Sequence, residues 1–490
     1  MTFPPMVDYP QHLAMAAIVR WLHDPARGFA HTYQLALTRP NTLFELLVAA
    51  LCTLIPPNLA GKLVIALALA AVGPAAVALA RRAGRPDWYA LLAIAATYNF
   101  VFYWGLVGNL LAYPQVIAAI AWADLLLDRP PSVRTWLILA LLALSFYFTH
   151  LQFQFIFMGA LGWLTLVRRP RLRDGLLQLS SALPALAVTL VCSLSLPEKF
   201  GYYQQARYGL EANFMALGRR LNLLPMCMFG THEDGPEYQL LALALLVLVA
   251  ALAFREPAQP RRPLHELLYT TRFATLALWI LLLYCLLPMN VLGGGFLFQR
   301  LAPLLLMLCP AAFPSPPPKR APLLKVLIGG LMAAQILVTT TESLRYQEEA
   351  AGVQELIEHT EPGKNLAGLM LQRSSRVVRT APVFLHYPAL YQVFRGGRIS
   401  LSFAEHYVSI AQYRDGQAWD DLVRDFNEYT PRGFSYEKHG ARFDYFFVHG
   451  PPEALKALFG PHLSELDVES RENWHLLRRR PIRIQSMTDP

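Results

Sequence analysis

Long apolar segments are the feature of this sequence that most restricts its fold. Several of them reach the roughly 20 residues that an α-helix needs to cross a bilayer. Only 16% of the 490 residues are charged, whereas soluble domains carry about 25% charged residues. The sequence therefore predicts a polytopic α-helical membrane protein.

The apolar segments predict about ten spans, because each one approaches the length of a transmembrane helix. The segment 42–55 is shorter and contains Glu45, so we interpret it as a helix on the membrane surface. An eleventh span ahead of Met1 would explain how the first residues reach the outer face. The predicted spans are 59–80, 89–104, 109–127, 135–149, 151–167, 176–196, 239–254, 273–288, 297–313 and 322–340.

Basic residues are concentrated in alternate connections between the predicted spans. Short connections that are rich in arginine and lysine face the cytoplasm. The other connections are then extracytoplasmic, among them the first loop, 1–58, and the long loop 198–238. We therefore expect a multi-pass protein of the cell (inner or plasma) membrane with both ends of the chain outside. The basic residues on the cytoplasmic side include Arg81, Arg82, Arg85, Arg129, Arg134, Arg168, Arg169, Lys319 and Arg320.

The character of the sequence changes after residue 341, where charged residues become frequent and the spans stop. Strand-like segments alternate there with helix-like segments, which is typical of an α/β domain. We expect residues 1–341 to form the transmembrane domain and residues 342–490 a soluble extracytoplasmic α/β domain. The predicted strands are 366–371, 443–449 and 474–477, and the predicted helices are 348–359, 419–426 and 452–459.

Two other sequence features argue against particular functions. The net charge of +9 does not indicate nucleic-acid binding, because the basic residues fall in short clusters between apolar segments. The five cysteines are odd in number and none has CxxC spacing, so neither a disulfide framework nor a thiolate metal site is predicted.

Asp8 and His12 are the first candidate site residues. Pro10 is well suited to the first turn of a helix, and this places Asp8 and His12 at the helix start. The positive end of the helix dipole favours an anion or a carboxylate there. An ordinary polar helix cap and a reactive group are both compatible with this pattern.

His150 and Arg300 are candidates at the outer ends of predicted spans. Arg300 follows a glycine-rich turn and begins an apolar segment. Its guanidinium could extend to lipid headgroups or hold a phosphate through paired donors. His150 lies between two apolar segments, where an interfacial and a catalytic role are both open.

The long loop 198–238 supplies the remaining candidates. Lys199 and Arg207 are cations on the predicted outer face, while His232, Glu233 and Asp234 offer metal ligands in sequence. Adjacent residues rarely converge on one ion, so a simple turn is the alternative interpretation. Asp8, His232 and Asp234 are the candidates if a divalent metal is required.

The opening residues and the predicted architecture together resemble a known enzyme class. The segment Asp8-Tyr9-Pro10-Gln11-His12, the surface helix after it, and the outer C-terminal domain resemble the integral membrane glycosyltransferases of the GT-C class, in particular their bacterial relatives. The chain departs from the class pattern in having Tyr9 where a second acid often stands, and in having no span before Asp8.

The resemblance implies transfer of a sugar from a polyprenyl-phosphate carrier to an acceptor glycan, lipid or protein at the outer membrane face. It implies that Asp8 is the general base, with His12 beside it, and that Arg300, Lys199 or Arg207 holds the carrier phosphate. It requires no cofactor, although a divalent metal is compatible with it. His150, His232 and Glu233 are further candidates.

A non-catalytic membrane protein, either a scaffold or a transporter for envelope polysaccharide, is the alternative. A transporter is expected to place charged residues within its spans. The main candidate, Asp124, lies at the predicted cytoplasmic end of a span, which disfavours transport but leaves a scaffold open.

Overall fold

Helices make up the first two thirds of the chain. The computed structural model describes residues 2–194, 212–230, 235–254, 263–291, 294–378, 381–406 and 408–480. The helices up to residue 349 are α1 (Tyr9–Trp21), α2 (Phe29–Thr32), α3 (Leu43–Leu51), α4 (Pro57–Arg82), α5 (Ala90–Ala95), α6 (Phe100–Trp104), α7 (Val107–Leu127), α8 (Val133–Thr149), α9 (Leu151–Val167), α10 (Leu172–Leu179), α11 (Leu183–Leu194), α12 (Leu217–Phe229), α13 (Pro236–Ala253), α14 (Leu264–Thr270), α15 (Arg272–Leu286), α16 (Ala302–Ala312) and α17 (Ala321–Glu349).

Several of these helices are long and apolar enough to cross a membrane. Within the described ranges there are five such helices, or six if α14 and α15, which meet at 76°, form one span. The helices α8 and α9 and the segment Gln299–Ala312 are apolar but shorter. The chain is therefore a multi-pass helical membrane protein, as predicted, although the predicted ten spans do not all appear as single helices. The five helices are Pro57–Arg82, Val107–Leu127, Leu172–Cys192, Pro236–Ala253 and Ala321–Glu349.

The apolar segment 89–104 departs from its predicted form, because it folds as two short helices, α5 and α6. The Asn99 side chain accepts a hydrogen bond from the Val101 N–H at 2.8 Å and thereby caps α6. Asparagine is a strong helix N-cap, so it starts a new helix within the apolar run. Gly105 then ends α6 in the left-handed conformation, with φ of +72°. The N-cap at Asn99 and the left-handed Gly105 therefore determine where α6 begins and ends, although the whole segment is apolar.

The segment predicted as a surface helix forms α3, which is shorter than expected. With nine residues it rises about 14 Å, which is too short to cross a bilayer. It packs against α1 and α4. This packing brings Glu45 on α3 next to His12 on α1.

A buried ion cluster joins four helices at the end opposite to Asp8. Asp124 on α7 is fully buried, and its carboxylate is 2.7 Å from Arg82 Nη2, 2.6 Å from Arg168 Nη2 and 2.7 Å from Arg272 Nε. Asp128 also contacts Arg82 and Arg168. A buried carboxylate is tolerated only when such partners compensate its charge. Asp124 is therefore structural, since its oxygens are bound to arginines.

Replacement of Asp124 by asparagine should strongly destabilise the protein. The change leaves three guanidinium groups without their shared anion, and breaking a buried ion pair on one side costs about 3–5 kcal/mol. The measurement is the thermal unfolding midpoint of the detergent-purified protein. Asp87→Asn, which removes the partner of Arg81 from an exposed pair, is the matched control and should change the midpoint little. Similar midpoints for the two variants would contradict the structural role.

The last third of the chain contains a five-stranded mixed sheet in the order β3-β2-β5-β7-β6. Strand β2 pairs in parallel with β3 and β5, and β7 pairs antiparallel with β5 and β6. The three predicted strands are found as β2, β5 and β7. The sequence did not indicate β3, which has two residues, or β6, an edge strand with alternating charges. The strands and helices of the chain's last third are β2 (Asn365–Met370), β3 (Arg398–Ile399), β4 (Ala411–Tyr413), β5 (Tyr445–His449), β6 (Leu466–Arg471), β7 (Trp474–Arg479), α18 (Val353–Glu358), α19 (Leu390–Arg395), α20 (Asp420–Asp425), α21 (Tyr436–His439) and α22 (Glu453–Phe459).

The first loop and the C-terminal region are joined by backbone and side-chain contacts. Strand β1 (Tyr33–Leu35) pairs antiparallel with β4. The buried Gln11 side chain on α1 donates to the Leu401 carbonyl at 3.1 Å and accepts from the Phe403 N–H at 3.0 Å. Helix α17 also continues past residue 341, where the domain boundary is predicted. These contacts bring C-terminal side chains next to Asp8.

Candidate functional site

A large cavity lies between the helices and the C-terminal region. Its volume is 1260 Å³, and it is lined by residues of α1, α3, α7, α9, α15, α16 and the segment 403–410. Polar side chains lie among its lining residues together with many apolar ones. The principal polar residues are Asp8, His12, Glu45, Asn109, His150 and Arg300.

The backbone around Asp8 is fixed by the end of α6. The Asp8 N–H donates to the Trp104 carbonyl at 3.1 Å, and the Val7 N–H donates to the Tyr103 carbonyl at 3.0 Å. Gly105 packs directly against this segment, where a Cβ atom would lie 2.7 Å from the Asp8 nitrogen. Pro10 lies in the first turn of α1, as predicted. Asp8 is therefore held at the helix start by main-chain contacts.

The Asp8 carboxylate contacts a buried histidine of the C-terminal region. His386 Nε2 is 3.3 Å from Asp8 Oδ1, and His386 Nδ1 is 3.1 Å from Glu428 Oε2. Burial alone would lower the pKa of His386, but the carboxylates of Glu428 and Asp8 raise it to about 9. His386 is therefore an imidazolium at neutral pH, placed between two carboxylates.

The partner of the His12 side chain is Glu45 rather than Asp8, beside which it was expected from the sequence. Its Nδ1 lies 2.5 Å from Glu45 Oε1, and the Glu45 side chain is largely buried. The rings of His12, His386 and His406 each pack edge-on against Phe403, at centroid distances of 5.5, 5.3 and 4.8 Å. His386, rather than His12, is the imidazole beside Asp8, so His12 and Glu45 form a second polar pair on the cavity wall.

Arg300 and His150 meet elsewhere on the cavity wall. Arg300 Nη1 lies 2.6 Å from His150 Nε2, and the Arg300 carbonyl accepts a hydrogen bond from the Tyr113 hydroxyl at 2.7 Å. A guanidinium can only donate, so His150 Nε2 accepts and the ring is neutral with its proton on Nδ1. The Arg300–His150 pair therefore carries one positive charge, which is on Arg300.

Three buried hydrogen-bond donors, one of them on His150 itself, lie on the same cavity wall as Arg300. Trp104 Nε1, Asn109 Nδ2 and His150 Nδ1 have no hydrogen-bond partner among the described residues. Leaving a buried donor without a partner costs about 1–3 kcal/mol. A ligand with several acceptor oxygens would satisfy these donors, and a cation beside them favours an anionic ligand.

The other candidates from the sequence lie outside the described residues. These are Lys199, Arg207, His232, Glu233 and Asp234. Within the ranges that the structure describes, no group of three or more His, Cys, Asp or Glu side chains is arranged to hold a metal ion. The candidates that the cavity brings together are Asp8, His12, His150 and Arg300.

Substitution of Gly105 tests how closely the α6 end controls the Asp8 backbone. Gly105→Ala combines a left-handed backbone, at about 1–2 kcal/mol for a residue with a Cβ, with a clash against the Asp8 nitrogen. Gly84→Ala is the matched control, since Gly84 has φ of +66° but no atom within 4 Å of a Cβ. We expect a larger fall in the thermal unfolding midpoint for Gly105→Ala than for Gly84→Ala. Equal falls would show that the contact with Asp8 tolerates a methyl group.

Comparisons with known proteins gave two distant structural neighbours. No family model matches the sequence, and no curated protein matches it. The crystal structure of ArnT from Cupriavidus metallidurans bound to undecaprenyl phosphate has 12% identity and a TM-score of 0.41, over 97% of this chain and 94% of that chain. The apo structure of the same protein has 12% identity and a TM-score of 0.39 over the same shares. ArnT is a GT-C glycosyltransferase, a member of the class that the opening residues of this chain resemble. At this low sequence identity and TM-score, the similarity assigns no substrate to this chain and no role to any of its residues.

Proposed function

We propose that this protein transfers a sugar from a polyprenyl-phosphate carrier to an acceptor hydroxyl group. The observation that carries the proposal is one cavity that combines a buried carboxylate contact, an arginine with unsatisfied donors around it, and an extensive apolar wall. A lipid-linked sugar phosphate has a matching anionic group, polar sugar and apolar tail. Undecaprenyl phosphate, the ligand of one ArnT structure, is an example of this carrier class.

The carrier phosphate would bind at Arg300. When the bond between the sugar and the phosphate breaks, the phosphate keeps the bonding electron pair and gains negative charge. Donors that are already oriented stabilise such developing charge without reorganisation. Arg300, with the Nδ1 donor of neutral His150 and the donors of Trp104 and Asn109, would supply this stabilisation.

The apolar wall of the cavity would hold the lipid tail. Phe155, Leu166 and Trp279 line the cavity, and their exposed fractions are 52%, 67% and 52%. Large apolar side chains that are exposed in a membrane protein are in contact with lipid. The wall is therefore open toward the membrane, so a carrier could enter sideways with its tail still in the bilayer.

Asp8 would act as the general base. An acceptor hydroxyl is a weak nucleophile at neutral pH, and a carboxylate within about 2.6–3.2 Å can take its proton as the new glycosidic bond forms. Asp8 Oδ1 faces His386, which leaves Oδ2 for the acceptor. Glu45 Oε2, a buried acceptor without a hydrogen-bond partner among the described residues, would receive a hydroxyl group of the sugar or the acceptor.

We place this reaction on the outer face of the cell membrane. The arginines around Asp124 and the other basic connections lie at the helix ends opposite to Asp8, and arginine-rich ends face the cytoplasm. This orientation puts the C-terminal region outside, where an acceptor glycan, lipid or protein would be reached.

Asp8→Asn should lower sugar transfer by about 100-fold or more, which is the usual contribution of a positioned base. The change keeps the shape of the side chain and removes its basicity. The measurement is the rate of sugar transfer from a polyprenyl-phosphate donor by the purified protein, with and without a chelator. Asp415→Asn, at an exposed position, is the control. Equal rates for Asp8→Asn and wild type would remove Asp8 from the mechanism, and no turnover by wild type would favour a scaffold.

Arg300→Ala should abolish carrier-dependent transfer, whereas Arg300→Lys should retain part of it. Lysine keeps the charge but loses the paired donors, and each lost hydrogen bond to a charged group costs about 1.5–3 kcal/mol. Binding of undecaprenyl phosphate and transfer are both measured. Arg81→Ala, at the opposite end of the molecule and exposed, is the control. Unchanged carrier binding by Arg300→Ala would move the phosphate site elsewhere.

A further inference from the structure

The contact between Asp8 and His386 joins two distant parts of the chain at the site of the proposed chemistry. Asp8 precedes α1, while His386 and Glu428 both belong to the C-terminal region. His386 and Glu428 are 2% and 6% exposed, so both side chains are buried. Neither is among the residues that line the cavity. Asp8, which His386 contacts, does line the cavity, so His386 can act on a substrate through Asp8.

A carboxylate base must be ionised in order to accept a proton. Burial in a water-poor cavity favours the neutral form of a carboxyl group, and a lipid substrate removes still more water. A cation within about 4–6 Å favours the charged form instead. An imidazolium at 3.3 Å from Asp8 Oδ1 supplies this cation, and Glu428 supplies the anion that keeps the imidazole protonated.

We propose that His386, held by Glu428, is a positioning residue that fixes the orientation of Asp8 and keeps it ionised during sugar transfer. The inference rests on the proposed function, because it concerns the base of that reaction. It means that the C-terminal region completes the catalytic centre and is more than a platform for the acceptor.

The other charged and titratable groups around His386 do not replace this contact. His12 and His406 pack edge-on against the Phe403 ring, as His386 does, at centroid distances of 5.5 and 4.8 Å. Arg373 contacts the carbonyl of Tyr429, the residue after Glu428. Asp8 and Glu428 are the carboxylates that contact the imidazole directly.

The pH dependence of transfer follows from this arrangement. Burial opposes the charge of His386, but Glu428 and Asp8 raise its pKa to about 9. The imidazolium is therefore present below that pH and is lost as the pH rises through it. Transfer should fall on the alkaline side near pH 9 in the wild type, because an uncharged imidazole holds the orientation of Asp8 less firmly than an imidazolium does. In Glu428→Gln this fall should begin closer to neutral pH, because one of the two carboxylates is removed.

The test measures kcat/KM for sugar transfer from pH 5 to 10, as well as kcat and KM separately, for wild type, His386→Gln and Glu428→Gln. In His386→Gln the acid-side fall in rate should move to higher pH, because the cation beside the base is removed, and kcat should decrease with little change in KM. His439→Gln is the matched control, since His439 is also buried and lies 3.0 Å from a carboxylate, Asp425, away from Asp8. His439→Gln should lower the stability of the protein without shifting the acid-side or the alkaline-side fall in the pH dependence of transfer.

A second measurement does not depend on turnover or on a folded His386 variant. Histidine-labelled wild type and Asp8→Asn are titrated by NMR, with the His386 signal identified by its displacement in Glu428→Gln. The signal should titrate near pH 9 in wild type and at lower pH in Asp8→Asn. Titration of His386 near or below 7 in wild type would overturn the inference.

The two proposals fail in distinguishable ways. An active wild type, with an acid-side fall that is unchanged in His386→Gln, overturns the positioning role and leaves the proposed function in place. A wild type that transfers no sugar overturns the proposed function and the positioning role together.

Discussion

The way in which a carboxylate is compensated distinguishes the two ends of this molecule. Asp124 is fully buried at one end, where three arginines occupy its oxygens and join four helices. Asp8 lies at the other end, where a single histidine contacts one of its oxygens. A carboxylate that is bound on both oxygens has no capacity left for a substrate. The same physical constraint thus produces a closed ion cluster at Asp124 and leaves a carboxylate on the cavity wall at Asp8, where we propose that it acts as the base.

The combination of apolar and polar surfaces in the cavity restricts the choice of ligand more than any single residue does. Its apolar wall reaches exposed side chains such as Trp279, while its polar residues include a cation and several unsatisfied donors. A soluble sugar phosphate would leave the wall exposed to water, and a plain lipid would leave the donors unpaired. A lipid-linked phosphate, the ligand that we propose, would satisfy both parts, because one molecule carries the tail and the anion.

Local signals in the sequence predicted much of the fold and part of the site. Asp8 beside Pro10, His150 between apolar segments and Arg300 after glycines were each marked by their immediate neighbours, and all three line the cavity. The pairing of Asp8 with His386 could not be found in this way, since it depends on how the C-terminal region packs on α1 through Gln11. The run 89–104 was misjudged for a related reason, because the cap at Asn99 outweighs its apolar composition.

The two histidines that contact the proposed reactive groups carry different charges, and their neighbours determine which. His150 faces the Arg300 guanidinium, so its imidazole accepts a hydrogen bond and stays neutral. His386 faces two carboxylates, so its imidazole is protonated. A cationic His150 would repel Arg300, and a neutral His386 would leave Asp8 without its cation. The cavity thereby keeps a carboxylate in one part and a positive, donor-rich surface in another, which is the arrangement that the proposed transfer of a sugar from a leaving phosphate to an entering hydroxyl requires.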